Sequence, residues 1–206
     1  PADAKLGGAA IPFAYELARR LPGQLTLNRK FHTATLVTDD PARIDLTTAR
    51  TEYYMRPGQL PEVDISGVAI ESDLQRRDFS INALALDLAD QPGRLLDVSG
   101  GAADVAARLV RILHSASFSD DPTRLLRAVR YSVRLGYDIE PTTRVQFTEA
   151  VQDGVLDHVS PERIRYELEC IGGEERWAQM WAVLDIAGVT EALHPVLADL
   201  SAGWDE

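Results

Sequence analysis

The residue types best suited to chemistry cluster in Phe118–Gly136, FSDDPTRLLRAVRYSVRLG. Asp-Pro ahead of an apolar-periodic run starts a helix, because proline suits the first helical position. At about 100° per residue, Leu125, Leu126, Val129 and Val133 share one side, the core face. Arg124, Arg127, Arg130 and Arg134 fall in an arc of roughly 120° on the other side. Asp120 and Asp121 sit at the N-terminal edge of that arc. Acceptors at the tip with cations below them suit a ligand that has a hydrogen-bonding edge and several negative charges, such as a nucleotide. Asp121 and Arg124, at i and i+3, are neighbours. A carboxylate accepts from the exocyclic amine of cytosine, and adenine offers an amine beside a ring acceptor, so one pair could read both bases. The competing reading is structural. Asp121 would cap the helix, the arginines would pair with carboxylates elsewhere, and Asp121–Arg124 would be a salt bridge worth a few tenths of a kcal/mol.

Arg76-Arg77-Asp78 is a second candidate, since adjacent guanidiniums offer fixed donors for phosphate and a carboxylate beside them can accept from a sugar hydroxyl. Asn82, four residues after Asp78, would share its side if the segment is helical. A local ion pair between Arg77 and Asp78, with Asn82 as a cap, explains the same residues. Asp45 alternates onto one strand face with Thr47 and could hold a metal. Phosphoryl or nucleotidyl transfer generally takes two or three such carboxylates, and no Asp-x-Asp lies near it or upstream. The four histidines have no metal-ligand spacing. Cys170 is the single cysteine, so neither an intramolecular disulfide framework nor a cysteine-based zinc site is available.

Positioning these residues requires a real core, and 206 residues of which 45% are hydrophobic can supply one, in two packed units. No apolar run is long enough to span a bilayer and no basic-plus-apolar leader opens the sequence, so a cytoplasmic protein without membrane contact is expected. A net charge of -11 opposes broad electrostatic capture of nucleic acid, so an RNA contact would either be confined to a local basic site or be supplied by a further part of the chain.

Helical spacing covers Ile11–Leu21, which Pro22-Gly23 stops. Gln24–Asn28, Ala34–Thr38 and Arg43–Thr48 read as an antiparallel meander, with turns at Arg29-Lys30 and Asp39-Asp40-Pro41. Thr51–Asp73 reads as loop, broken by Pro57, Gly58, Pro61 and Gly67. Pro92-Gly93 is a turn, Leu95–Val98 a short strand and Ala102–Leu113 a helix. Beyond Ser117 the pattern is helical throughout, over Pro122–Leu135, Thr142–Val151, Pro161–Ile171, Arg176–Ile186 and Thr190–Leu197. An α+β unit followed by a helical unit results, with the boundary near Leu113–Phe118.

Asp73–Ala85 (DLQRRDFSINALA), Leu96–Asp104 (LDVSGGAAD), Asp120–Arg130 (DDPTRLLRAVR) and Ser160–Leu168 (SPERIRYEL) together resemble successive motifs of the class II tRNA nucleotidyltransferases. That family comprises the CCA-adding enzymes and the bacterial poly(A) polymerases. TLNRKFHTATLV and RIDLTTARTEYYMRPGQLP are similar to its N-terminal domain. The resemblance implies an α+β fold. Residues 1–115 would be a nucleotidyltransferase head with a small antiparallel or mixed sheet, and residues 116–206 an all-helical neck and the start of a body that binds RNA and nucleotide. It implies transfer of CMP or AMP from CTP or ATP, with Mg2+, to the 3′ end of a tRNA or other RNA. Arg77, Asp78 and Asn82 would contact ribose and triphosphate. Asp121 and Arg124 would be the protein template that reads the base, with Arg127 and Arg130 in support. Asp45 matches the family's third acidic position and would be catalytic and metal-binding.

One feature departs from the family pattern, which opens with a glycine pair followed by an Asp-x-Asp. Gly7-Gly8 fits the pair, but no Asp-x-Asp follows. A register that makes Ile11–Leu21 the helix after that motif leaves the head without its first strands, whether by loss from the gene, by truncation or by an interruption between Lys5 and Ile11. The alternative function is therefore an inactive or truncated relative that binds nucleotide or RNA without transfer. CCA, CC-only, A-only and poly(A) addition share these motifs, and oligomeric state leaves no mark in them.

Overall fold

A computed structural model describes residues 9–40, 42–89 and 93–194. Gly7-Gly8, Pro41 and Pro92 of the expected turns, and the expected helical extension through Leu197, lie outside the described residues. The chain divides into two compact units. The first groups Pro1–Glu52 with Val63–Asp73, and the second groups Tyr53–Glu62 with Leu74–Glu206. This packing division falls well before the boundary near Leu113–Phe118 drawn from the change in element type.

In the first unit, helix α1 (Ala10–Arg20) packs across the three-stranded meander β1 (Gly23–Asn28), β2 (Thr33–Thr38) and β3 (Arg43–Thr47). The Ala10 N–H at the open helix start donates to Thr48 Oγ1 at 2.9 Å. Strand alternation puts Leu25, Leu36 and Ile44 in one cross-strand row and Leu27, Ala34 and Leu46 in the next. Ala34 and Leu36 are buried. The opposite face carries Thr26, Thr35 and Asp45 in register across the three strands. The region read as loop contains two short paired strands, β4 (Thr51–Tyr53) and β5 (Glu62–Asp64), and the start of α2 (Ile70–Gln75). Three-residue strands are too short to show a period-two pattern.

In the second unit, the stretch after Arg76-Arg77-Asp78 is not a continuous helix. Phe79 is extended (φ −132°, ψ 151°) and Ser80–Asn82 forms a single 3-10 turn. A hairpin follows, β6 (Leu84–Asp87) on β7 (Arg94–Asp97), and then α3 (Gly101–Ala107). The expected helix through Leu113 stops six residues early, because Arg108 turns left-handed (φ 57°) and Leu109–Val110 becomes β8. Its parallel partner, β9 (Asp138–Ile139), interrupts the otherwise helical second half. Two-residue strands exist only through each other, so nothing local announces them.

Gly101 starts α3 against the 3-10 turn, where an added Cβ would lie 2.1 Å from the Ser80 carbonyl oxygen. Gly101→Ala therefore forces backbone apart, and we expect a loss of about 1–3 kcal/mol in urea unfolding. An unchanged midpoint would mean that this approach is not tight.

The rest of the unit is a helical assembly around α5 (Thr123–Leu135), preceded by α4 (Ser117–Asp120). Leu125, Leu126, Val129 and Val133 are buried among Phe79, Val110, Phe118, Phe147, Met180 and Leu184. The core face read from periodicity is thus the observed one. Gly136 ends α5 in the left-handed conformation (φ 65°). Around it lie α6 (Pro141–Gln152), a 3-10 turn at Val155–His158, α7 (Pro161–Gly172), α8 (Trp177–Ile186) and α9 (Val189–Leu193). Among the described residues, no helix is long and apolar enough to cross a membrane.

Candidate functional site

The polar face of α5 is not a row of bare cations. Arg127 donates from Nε (3.0 Å) and Nη2 (2.6 Å) to Asp78 Oδ2, and from Nη1 to Glu167 Oε1 at 3.2 Å. Arg130 Nη2 lies 3.4 Å from Glu167 Oε2, and Arg134 pairs with Glu174. The guanidiniums of Arg127, Arg130 and Arg134 also lie 5.4, 5.5 and 5.8 Å from the Tyr131 ring centroid. The other oxygen of Asp78, Oδ1, accepts from the Phe79 N–H at 2.8 Å and from Asn82 Nδ2 at 3.0 Å. Asp78 and Asn82 therefore meet although no helix joins them, because the 3-10 turn folds the chain back. Arg77 Nη1 donates to the Asn82 carbonyl at 3.2 Å. The segment around Asp78 and the helix α5 are thus one network.

Burial by itself would raise the Asp78 pKa. The Arg127 charge, its hydrogen bonds and those from Asn82 and the Phe79 N–H outweigh that and hold the carboxyl below the usual carboxylate range. Arg127 is burdened by burial too, but the carboxylates of Asp78 and Glu167 keep it firmly charged.

The N-terminal end of α5 is arranged differently. Asp121 Oδ1 accepts from the Thr123 N–H (3.1 Å), the Thr123 hydroxyl (2.6 Å) and Arg163 Nη2 (2.6 Å). Every one of these donors meets Oδ1, so Oδ2 keeps its acceptor capacity. Asp121 is consequently a cap and an ion-pair partner with one oxygen to spare. Arg124 turns inward, donating to Ser117 Oγ at 2.6 Å and to the Arg76 carbonyl at 3.1 Å, and is only 4% exposed. The i,i+3 neighbours read as a pair thus have different partners. His114 lies 4.0 Å from Asp120, and partial desolvation together with the Arg124 charge lowers its pKa.

Sequence reading gave no role to Arg163, Glu167 or Tyr131. Their signal was present, since Arg163 and Glu167 are four apart within SPERIRYEL and so share one helix face. What they pair with lies about forty residues upstream.

In the first unit, Asp45 accepts from Thr35 Oγ1 at 2.6 Å and from Arg43 Nε at 3.0 Å, and these bonds lower its pKa. Among the described residues, no group of three His, Cys, Asp or Glu side chains could hold a metal ion. A single exposed carboxylate already bonded to an arginine does not make a magnesium site.

A family profile described as the poly A polymerase head domain matches residues 2–111. An A-adding tRNA nucleotidyltransferase of Geobacter sulfurreducens is 37% identical over 196 residues, which is 95% of this chain and 22% of the relative. Another, from Halalkalibacterium halodurans, is 39% identical over 194 residues, 93% of this chain and 45% of the relative. Among solved structures, a complex of a CCA-adding enzyme with ATP is similar at a TM-score of 0.79 and 38% identity, over 91% of this chain and 43% of that one. The chain therefore spans less than half the length of these relatives.

Proposed function

The chain belongs to the class II tRNA nucleotidyltransferase and poly(A) polymerase family, and from that premise we propose that it transfers CMP or AMP from CTP or ATP to a tRNA 3′ end without a nucleic-acid template. The observation that carries the reading is Asp121. One carboxylate oxygen is fixed by Thr123 and Arg163, and the other is left to accept from an exocyclic amine. Cytosine and adenine carry such an amine where uracil and guanine carry a carbonyl oxygen, so a fixed acceptor favours the first two bases. The names of the relatives, A-adding tRNA nucleotidyltransferases, and the ATP complex of the structural neighbour support ATP and a tRNA as substrates.

In this proposal residues 1–115 are the head, and residues 116–206 the neck and the start of the body. Arg77, Asp78 and Asn82 serve the ribose and triphosphate, Asp121 and Arg124 the base, and Arg127 and Arg130 support them through the Asp78–Glu167 network. Nucleotidyltransferases generally work with a divalent metal, and Mg2+ is the ion expected here. Asp45 by itself does not make a site for it. A cytoplasmic location belongs to the same proposal.

Labelled CTP and ATP, offered with Mg2+ and a tRNA lacking its 3′ end, test the reading directly. We expect incorporation of C or A and none of U or G. Selective nucleotide binding without incorporation would support the alternative of a non-catalytic binding relative. Neither binding nor incorporation would overturn both.

A further inference from the structure

The turn 29–32 between β1 and β2 breaks the charge pattern of its unit. Of the arginines and lysines described in the first unit, Arg19 and Arg20 pair with Glu16, Arg43 with Asp45 and Arg50 with Glu52. Arg29 and Lys30 remain, both exposed and without a carboxylate partner among the described residues.

The turn that carries them is firmly held. The Phe31 N–H donates to Asn28 Oδ1 at 3.2 Å, and the His32 carbonyl accepts from the Thr48 N–H at 3.1 Å. Arg50 donates from Nη1 to the Phe31 carbonyl at 2.8 Å. It is itself anchored, by Nε and Nη2 to Glu52 Oε1 (3.0 and 2.8 Å) and by its N–H to Asp73 Oδ1 (3.1 Å). Two cations lie against the Phe31 ring, Lys30 Nζ at 5.4 Å and the Arg50 guanidinium carbon at 5.6 Å from its centroid. His32 is left-handed (φ 51°), a conformation uncommon outside glycine that persists where the surroundings fix it.

We propose that this turn is a contact for the phosphate backbone of the RNA, with Arg29 and Lys30 as the phosphate-binding cations. The inference rests on the reading of RNA as the acceptor substrate. At a net charge of -11, diffuse attraction works against RNA, so a contact needs cations that no neighbouring carboxylate neutralises. Arg29 and Lys30 meet that condition, and the paired arginines of the same unit do not. A turn that is already fixed loses little conformational freedom on binding. Phosphate contacts set register and orientation without reading sequence, so the turn serves any acceptor RNA and leaves the choice of incoming base to Asp121.

The test is fluorescence anisotropy with a labelled tRNA lacking its 3′ end, between about 50 and about 200 mM salt, beside calorimetric titration with ATP. In Arg29→Gln/Lys30→Gln we expect RNA affinity to fall about tenfold at the low-salt end. The slope of log affinity against log salt should flatten by about 1.4–2, the share of two phosphate contacts. ATP affinity should stay as in the wild type. Arg19→Gln/Arg20→Gln removes the same charge from α1, where both arginines are already paired, and should leave RNA affinity and slope unchanged. All four side chains are exposed, so neither double variant should shift thermal unfolding.

Wild-type affinity and slope in Arg29→Gln/Lys30→Gln would overturn the contact. An equal loss in Arg19→Gln/Arg20→Gln would do the same, because net charge alone would then account for it. A fall in ATP affinity would place the two cations on the triphosphate and overturn the assignment to RNA. A wild type with no affinity for the RNA would overturn the reading of RNA as acceptor, and the contact with it.

Discussion

Asp121→Ala is expected to erase the preference of this chain for cytosine and adenine nucleotides over uracil and guanine nucleotides, by about 10- to 100-fold. The size follows from the worth of a well-placed base contact, about 1–3 kcal/mol, at about 1.4 kcal/mol per tenfold. The loss should appear in selectivity more than in affinity, because the triphosphate and ribose contacts are made elsewhere. The same titration on Arg124→Ala separates reading from support. The Arg124 guanidinium bonds to Ser117 and to the Arg76 carbonyl, so a part in reading the base requires it to turn towards the nucleotide; Arg124→Ala is then expected to lower selectivity as well, whereas uniform weakening for all four nucleotides would show that Arg124 only supports the site. Retained selectivity in Asp121→Ala would remove the observation on which the proposed function rests.

The largest effect on stability is expected at Asp78. Its carboxylate joins the segment after α2 to α5 through Arg127, from a side chain that is 11% exposed. Asp78→Ala leaves that partly buried guanidinium half-paired, and the cost should approach but not exceed the roughly 3–5 kcal/mol of breaking a fully buried pair. Urea unfolding measures it directly. Acid provides an independent check. Because the folded state holds Asp78 below its unfolded value of about 3.9, the contribution is complete above that value and is lost as the pH falls through the lower folded value. The stability difference between wild type and Asp78→Asn should therefore be flat above about pH 5 and shrink below about pH 4. A difference independent of pH in that range would mean that the charge of Asp78 contributes nothing.

These two residues also mark how far the sequence is legible. Periodicity alone shows that Leu125, Leu126, Val129 and Val133 face the core, because a helix repeats every 3.6 residues whatever surrounds it; it also groups the arginines on the other side but gives no sign that Arg124 and Arg130 are buried there. The α1–meander unit is equally plain, since six-residue strands reveal their alternation. The ordered motifs around Asp78, Asp121 and Arg163 identify the family, and the types of those residues point to nucleotide chemistry.

What the sequence leaves open is who meets whom. Arg127 needs a carboxylate, and local pattern allows several. Packing of the 3-10 turn and α7 against α5 supplies Asp78 from 49 residues away and Glu167 from 40. Asp121 and Arg124 are neighbours by spacing, yet tertiary contacts send one to Arg163 and the other to Ser117 and the Arg76 carbonyl. β8 and β9 likewise exist only as a pair, and the left-handed Arg108 that ends α3 has no local sign. Periodicity and residue type act within a few residues of chain and determine which face each element turns to the core. Side-chain partners separated by tens of residues are chosen by how those elements pack, and in this protein that packing pairs Arg127, Arg130 and Arg134 with Asp78, Glu167 and Glu174 and leaves one Asp121 oxygen to accept.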